Sequence, residues 1–177
     1  ADKRIRVLIA RGADIARYID SQWDALLLKQ RIPNPVCSAA WLLASPKLVQ
    51  GTPLVIVAKV GDELVAGGAF SITTTLGVRT ARWIGGNGRP SITPDILVHP
   101  DYEEAGDLVM SRLRLESHLI SLGPCRSEGS VGQVLSDQSL GVYEEPAAEG
   151  WMVELPAPKL QKLKKKNVSR LKRAVKN

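Results

Sequence analysis

The 177-residue sequence predicts an α/β fold of the α+β kind, a mixed but mainly antiparallel sheet with a central meander and helices flanking it. Two observations carry this. The first is Pro53 to Gly85, where three strand-like runs follow one another with only short turns between them, which is the pattern of an antiparallel meander. The second is the helical periodicity on either side, over Asp14 to Lys29 and from Asp101 to about Leu122, which supplies amphipathic cover for a sheet that must be covered.

Within the meander, Leu54 to Ala58 are five apolar residues in succession, short and β-branched enough to read as a strand buried on both faces. Gly61-Asp62-Glu63 has turn chemistry, and Leu64 to Thr75 starts apolar and ends in hydroxyl residues, as a strand running out into solvent does. The Gly67-Gly68 pair inside it predicts a bulge or a close backbone approach. Beyond Leu76-Gly77, the run Val78 to Ile84 alternates, with Ala81 and Trp83 on one side and Thr80 and Arg82 on the other.

Arg4 to Ala10 is a short strand ahead of this meander. Asp14 is the expected N-cap of the helix through Lys29, Pro33 and Pro35 make the connection after it extended, and Ser38 caps a second helix, Ala39 to Ala44. Past the glycine-rich stretch, Asp95 to Val98 forms one more short strand, and Asp101 opens the long helix with Glu103 and Glu104 in its first turn, where the dipole favours acids. Gly123-Pro124 stops it. The next expectations are a short strand at Pro124 to Ser127, a helix at Val131 to Ser139, and a hairpin from Gly141 to Glu145 and Trp151 to Leu155.

The net charge of +6 is unevenly spread. Lys159 to Lys176 holds nine basic residues and no acid, which leaves residues 1–158 with 15 basic against 18 acidic side chains. The domain expectation is therefore a body over 1–156 and a basic C-terminal helix or connector over 157–177, with Leu160, Leu163, Val168, Leu171 and Val175 on one helical stripe. No apolar run approaches the length of a membrane span. The start has no segment of signal-peptide type, and Cys37 and Cys125 lie 88 positions apart without neighbouring His, so reduced thiols, a cytoplasmic location and no metal are expected.

The order of elements resembles the GNAT acyltransferase fold. At residue level, Trp23-Asp24-Ala25-Leu26, the step Pro35, Ser38, Trp41-Leu42, the turn Gly61 to Ala66 and the Asp95 segment look like the N-terminal half of FemAB- and CelD-like proteins. In these, two GNAT-like halves are joined through a basic helix, and Lys164 to Arg173 resembles the start of that connector. The resemblance implies transfer of an acyl group from acyl-CoA, or of an aminoacyl group from tRNA in the FemAB variant, to an amine or hydroxyl acceptor. It also implies a partner, either a second GNAT-like domain beyond the C-terminus or a homo-oligomer, and a cofactor-poor role for this half.

A GNAT domain holds the pyrophosphate of acyl-CoA on backbone N–H groups at the start of a helix, where the dipole favours the anion. The family's loop has Arg or Gln, Gly three positions on, and Gly or Ala two further. Arg82 and Gly85 fit the first two places and Asn87 stands in the third, so Arg82, Gly85, Gly86, Asn87 and Gly88 are the candidate cofactor-binding residues. The same Asn87-Gly88 pair is equally a strong reverse-turn signal, and Pro90 and Pro94 follow instead of a helix. Asp95, a carboxylate between the glycine loop and Ile96-Leu97, is the candidate proton acceptor, with loop capping as its other role. His99, His118 and Gly129-Ser130-Val131-Gly132 form no nucleophile motif, because Glu128 replaces the glycine an elbow needs. The alternative function is a non-catalytic module whose basic tail contacts nucleic acid or an acidic protein, although that tail lacks interleaved aromatics.

Overall fold

A computed structural model of the chain describes residues 4–45, 50–84, 93–123, 125, 126 and 129–136. The predicted hairpin at 141–155, the basic tail and residues 85–88 lie outside these. The elements are β1 (Ile5–Arg11), a 3-10 turn (Gly12–Arg17), α1 (Ser21–Leu28), a second 3-10 turn (Pro35–Cys37), α2 (Ala39–Ala44), β2 (Thr52–Val60), β3 (Glu63–Thr75), β4 (Val78–Trp83), β5 (Leu97–Val98), α3 (Glu104–Glu116), β6 (Leu119–Ile120) and α4 (Ser130–Ser136).

The strands form one sheet in the order β1-β2-β3-β4-β6. All pairs are antiparallel except β4 with β6, which run parallel through the crossover of α3. β3 is long enough to take two partners on one flank, β4 along Phe70 to Thr75 and β5 at Ala66 and Gly67. The five-residue apolar run is buried on both faces. Val55 and Val57 join Trp23, Leu26 and Leu27 of α1, while Leu54, Ile56 and Ala58 join Val109, Met110 and Leu113 of α3. Ala81 and Trp83 share this second face, and Arg82 is exposed on the other.

Gly67 is where backbone must come close. A methyl group there would stand 2.5 Å from the Trp23 ring, whose Nε1 donates to the carbonyl of Cys37 at 2.7 Å. The bulge lies two residues earlier. The register passes from Ala58 opposite Ala66 to Lys59 opposite Leu64, leaving Val65 without a partner position. Leu64 then faces α1, and Val65 and Ala66 both face α3.

Three boundaries differ from the sequence reading. The first helix does not start at Asp14. A 3-10 turn intervenes, and Asp20 caps α1 by accepting the Gln22 N–H at 2.8 Å. Ser38 does cap α2, accepting from Trp41 N–H. The long helix runs only from Glu104 to Glu116. Ser117 is extended (φ −139°, ψ 152°) and the next residues pair with β4, so Leu119 and Ile120 belong to a strand. Its hydroxyl donates to the Leu113 carbonyl, and the buried Glu116 carboxylate is held by Arg11 of β1 and Arg112, fixing the helix end against the sheet. That strand replaces the one expected at 124–127, of which only Cys125 and Arg126 are described and neither is in a strand.

Candidate functional site

Two polar clusters lie on either side of β5, one at Asp95 before it and one at His99 after it. Asp95, just before β5, has both carboxylate oxygens engaged. Oδ1 accepts from the N–H groups of Ile96 and Val131, each at 2.9 Å, and Oδ2 from Ser130 N–H at 2.9 Å. It therefore closes the start of α4 from a distant part of the chain, satisfying donors that a helix start leaves unpaired. Gly129 leaves room for this carboxylate, which a Cβ there would strike. Burial raises the Asp95 carboxyl above its usual range, against the lowering by the three N–H groups and the nearby Arg126.

Cys37 lies against the Asp95 backbone, its Sγ 3.4 Å from the N–H and 3.6 Å from the carbonyl oxygen. Burial pushes its thiol up to about 11, so at neutral pH it is a protonated, inert group. Cys125 is raised in the same direction by the same cause. Between Gln30, Asn34, Cys37, Asp95 and Arg126 is a cavity of about 30 Å³. That is room for a water molecule, not for a substrate. Among the described residues no group of three or more His, Cys, Asp or Glu side chains is placed to hold a metal ion, and no helix is long and apolar enough to cross a membrane.

The other polar cluster joins three elements. Lys29 Nζ, at the end of α1, is 3.3 Å from Glu63 Oε1 at the start of β3 and 2.9 Å from His99 Nε2. His99 Nδ1 accepts the Asp101 N–H at 3.1 Å, and its ring meets Tyr102 edge-on at 5.5 Å. An open depression of about 180 Å³ beside this cluster runs between α1 and the β2–β3 turn, bordered by Gln22, Lys29, Asp62 and Glu63. Nothing in the sequence pairs Lys29 with Glu63, because the contact depends on how α1 lies over β3. His118 is exposed beyond α3, its Nδ1 accepting the Arg79 N–H at 3.0 Å, far along the sheet from His99 in register.

α3 starts where the connector ends. Glu103 is its N-cap without a side-chain capping bond, and Glu104 and Asp107 occupy its first turn. Glu103, Glu104 and Asp107 are all exposed. Ala105 N–H donates to the Tyr102 carbonyl at 2.9 Å and Gly106 N–H to the Glu103 carbonyl at 3.1 Å. Gly106 lets the helix start sit tightly on the sheet, since a methyl group there would lie 3.1 Å from Val98 and 3.3 Å from Val134. Of the candidate cofactor-binding residues, Arg82 is exposed on β4 and Gly85, Gly86, Asn87 and Gly88 lie outside the described residues. The described residues that follow, Thr93 to Ile96, are not helical, and the next helix described is α3.

No protein-family model matches the sequence, and no curated protein matches it. Solved structures do. An aminoglycoside acetyltransferase, meta-AAC0020, from an uncultured soil metagenomic sample, crystallised with trehalose, aligns at a TM-score of 0.54 and 12% identity over 86% of this chain and 99% of its own. A second aminoglycoside acetyltransferase from such a sample, HMB0005, aligns at 0.50 and 14% identity over 85% of this chain and 99% of its own. At such identities the likeness is one of fold alone, and the fold of this chain is GNAT-like, a mixed, mainly antiparallel sheet flanked by helices.

Proposed function

We propose that this chain is the N-terminal half of a FemAB- or CelD-like acyltransferase, which moves an acyl group from acyl-CoA to an amine or hydroxyl acceptor in company with a second GNAT-like lobe. The observation that carries the reading is the fold itself, a meander whose last strand is joined through α3 to a parallel neighbour. The short residue-level likeness around Trp23, Trp41, Gly61 and Asp95 and the basic run Lys164 to Arg173 support the tandem form. In such a reaction the acceptor's lone pair attacks the thioester carbonyl while a base takes its proton, and the C–S bond then breaks to release CoA as a thiolate that picks up a proton. Asp95 is the one candidate base the sequence offers, and its two oxygens already accept three backbone N–H groups. Its contribution in this reading is to hold α4 in place, and the second lobe supplies the proton acceptor.

The second lobe is a domain of different sequence encoded after Asn177, since another copy of this chain would bring the same committed Asp95. The test is to purify the product of the whole gene, determine its mass and oligomeric state, and follow CoA release from acetyl-CoA with a panel of primary amines. We expect a two-lobed product that releases CoA in an acceptor-dependent way. A monomer ending at Asn177, or a whole product that releases no CoA, overturns the proposal.

A further inference from the structure

Resting on the acyltransferase reading, we infer that the start of α3 excludes polyphosphate and that this lobe does not hold acyl-CoA. Ligands of folds with parallel strands joined by a helix gather at the carboxyl ends of those strands, and a helix start there attracts anions through its dipole and its unpaired N–H groups. β4, α3 and β6 make the parallel unit of this fold, so α3 is the helix that has to offer those donors.

Three features of α3 oppose that use. Its N-cap Glu103 and, in its first turn, Glu104 and Asp107 are all exposed, and none of them forms an ion pair with a described residue. A pyrophosphate placed there meets three like charges within the span where a helix dipole acts. Two of the donors are also committed, since the Ala105 and Gly106 N–H groups already bond to the carbonyls of Tyr102 and Glu103. Finally, the connector is tied down, with His99 in contact with Lys29 and bonded to the Asp101 N–H, and Tyr102 against its ring. A loop that must wrap a phosphate needs its backbone N–H groups turned outward and free, and those of His99, Asp101 and Tyr102 are bonded within the protein's own structure.

The inference is tested on the 177-residue chain with two probes, CoA and inorganic pyrophosphate, by calorimetry and by the amide shifts of residues 103–106 at low ionic strength. We expect no saturable heat from either probe into the millimolar range and no shift at those amides. Saturable CoA binding by the unaltered chain overturns the inference, wherever the shifts appear. The triple variant E103Q/E104Q/D107N, altered only at exposed positions, is expected to bind pyrophosphate about tenfold more tightly, the sum of three dipole-scale charge effects. An unchanged pyrophosphate affinity in a variant with native circular dichroism refutes the assignment of the exclusion to these carboxylates. The two proposals fail separately. CoA binding by this chain alone sinks the inference and leaves the acyltransferase reading standing, whereas a whole gene product that transfers no acyl group does the reverse.

Discussion

Replacing Gly67 by Ala probes the contact that seats α1 on the sheet. The new methyl group lies 2.5 Å from one ring carbon of Trp23 and 3.0 and 3.2 Å from two others, so the ring has to retreat by about 1 Å to reach an ordinary carbon contact. The ring has little space to do so, because Trp23 is 1% exposed and its Nε1 is anchored to the Cys37 carbonyl at 2.7 Å. Overpacking a dense core costs about 1–3 kcal/mol, and losing a buried hydrogen bond adds about 1 kcal/mol. The lower backbone entropy of alanine in the unfolded chain returns about 0.5–1 kcal/mol. The net expectation is a loss of about 1–3.5 kcal/mol, centred on about 2 kcal/mol and read as a lower urea midpoint at constant m-value. A double-mutant cycle with Trp23→Leu supplies the decisive number. If the clash is the cause, the second substitution recovers at least half the loss, a coupling above about 1 kcal/mol. A Gly67→Ala chain of wild-type stability, or one whose loss is unaffected by Trp23→Leu, refutes the reasoning.

Two further outcomes follow from the Asp95 and Cys37 pair. Asp95→Ala leaves the N–H groups of Ile96, Ser130 and Val131 without their acceptor and is expected to cost about 2–4 kcal/mol, with the amides of α4 losing hydrogen-exchange protection first. Uniform loss of protection across the sheet instead would mean that the carboxylate does not act on α4. For Cys37 the folded pKa, about 11, lies above the ordinary 9.0, so its contribution to stability is complete below pH 9 and is lost as the pH rises through 11. The loss approaches about 3 kcal/mol, at 1.36 kcal/mol per unit. A Cys37→Ala chain, less stable at neutral pH, is expected to lose less on alkalinisation, so that its urea midpoint converges on wild type. Parallel midpoints between pH 9 and 11 would contradict this.

The meander was legible because its signals are local. Five apolar residues, two short turns and an alternating run specify three neighbouring strands without help from the rest of the chain. Capping was legible at Ser38 for the same reason, and misread at Asp14 because Asp20 offers an equally good acceptor nearer the buried Trp23. The end of α3 was not legible. Leu119 and Ile120 continue the helical spacing of Leu113, and only the edge of β4, 39 residues earlier for Thr80 and Leu119, draws them into the sheet. For the candidate anion site two kinds of signal diverge. The glycines after Trp83 have the composition of an anion loop, while the helix that starts at the sheet end lies beyond Val98 and announces itself by acids. Composition pointed to one segment and topology to another. The carboxylate of Asp95 was placed near a glycine loop, but its engagement with Ser130 and Val131 spans about 35 positions and has no local signature.

The extra residue at Val65 also constrains how this chain can vary. Side chains beyond it, Leu64 and Glu63, take the orientation they have because two residues of β3 face one of β2 there. Deleting one residue would restore regular pairing and turn Leu64 away from α1, together with the carboxylate that meets Lys29. Val65 is fully buried, so the position stays apolar, and the number of residues between Gly61 and Gly67 is fixed with it, so that a gap in that interval would mark a descendant with a rebuilt first helix.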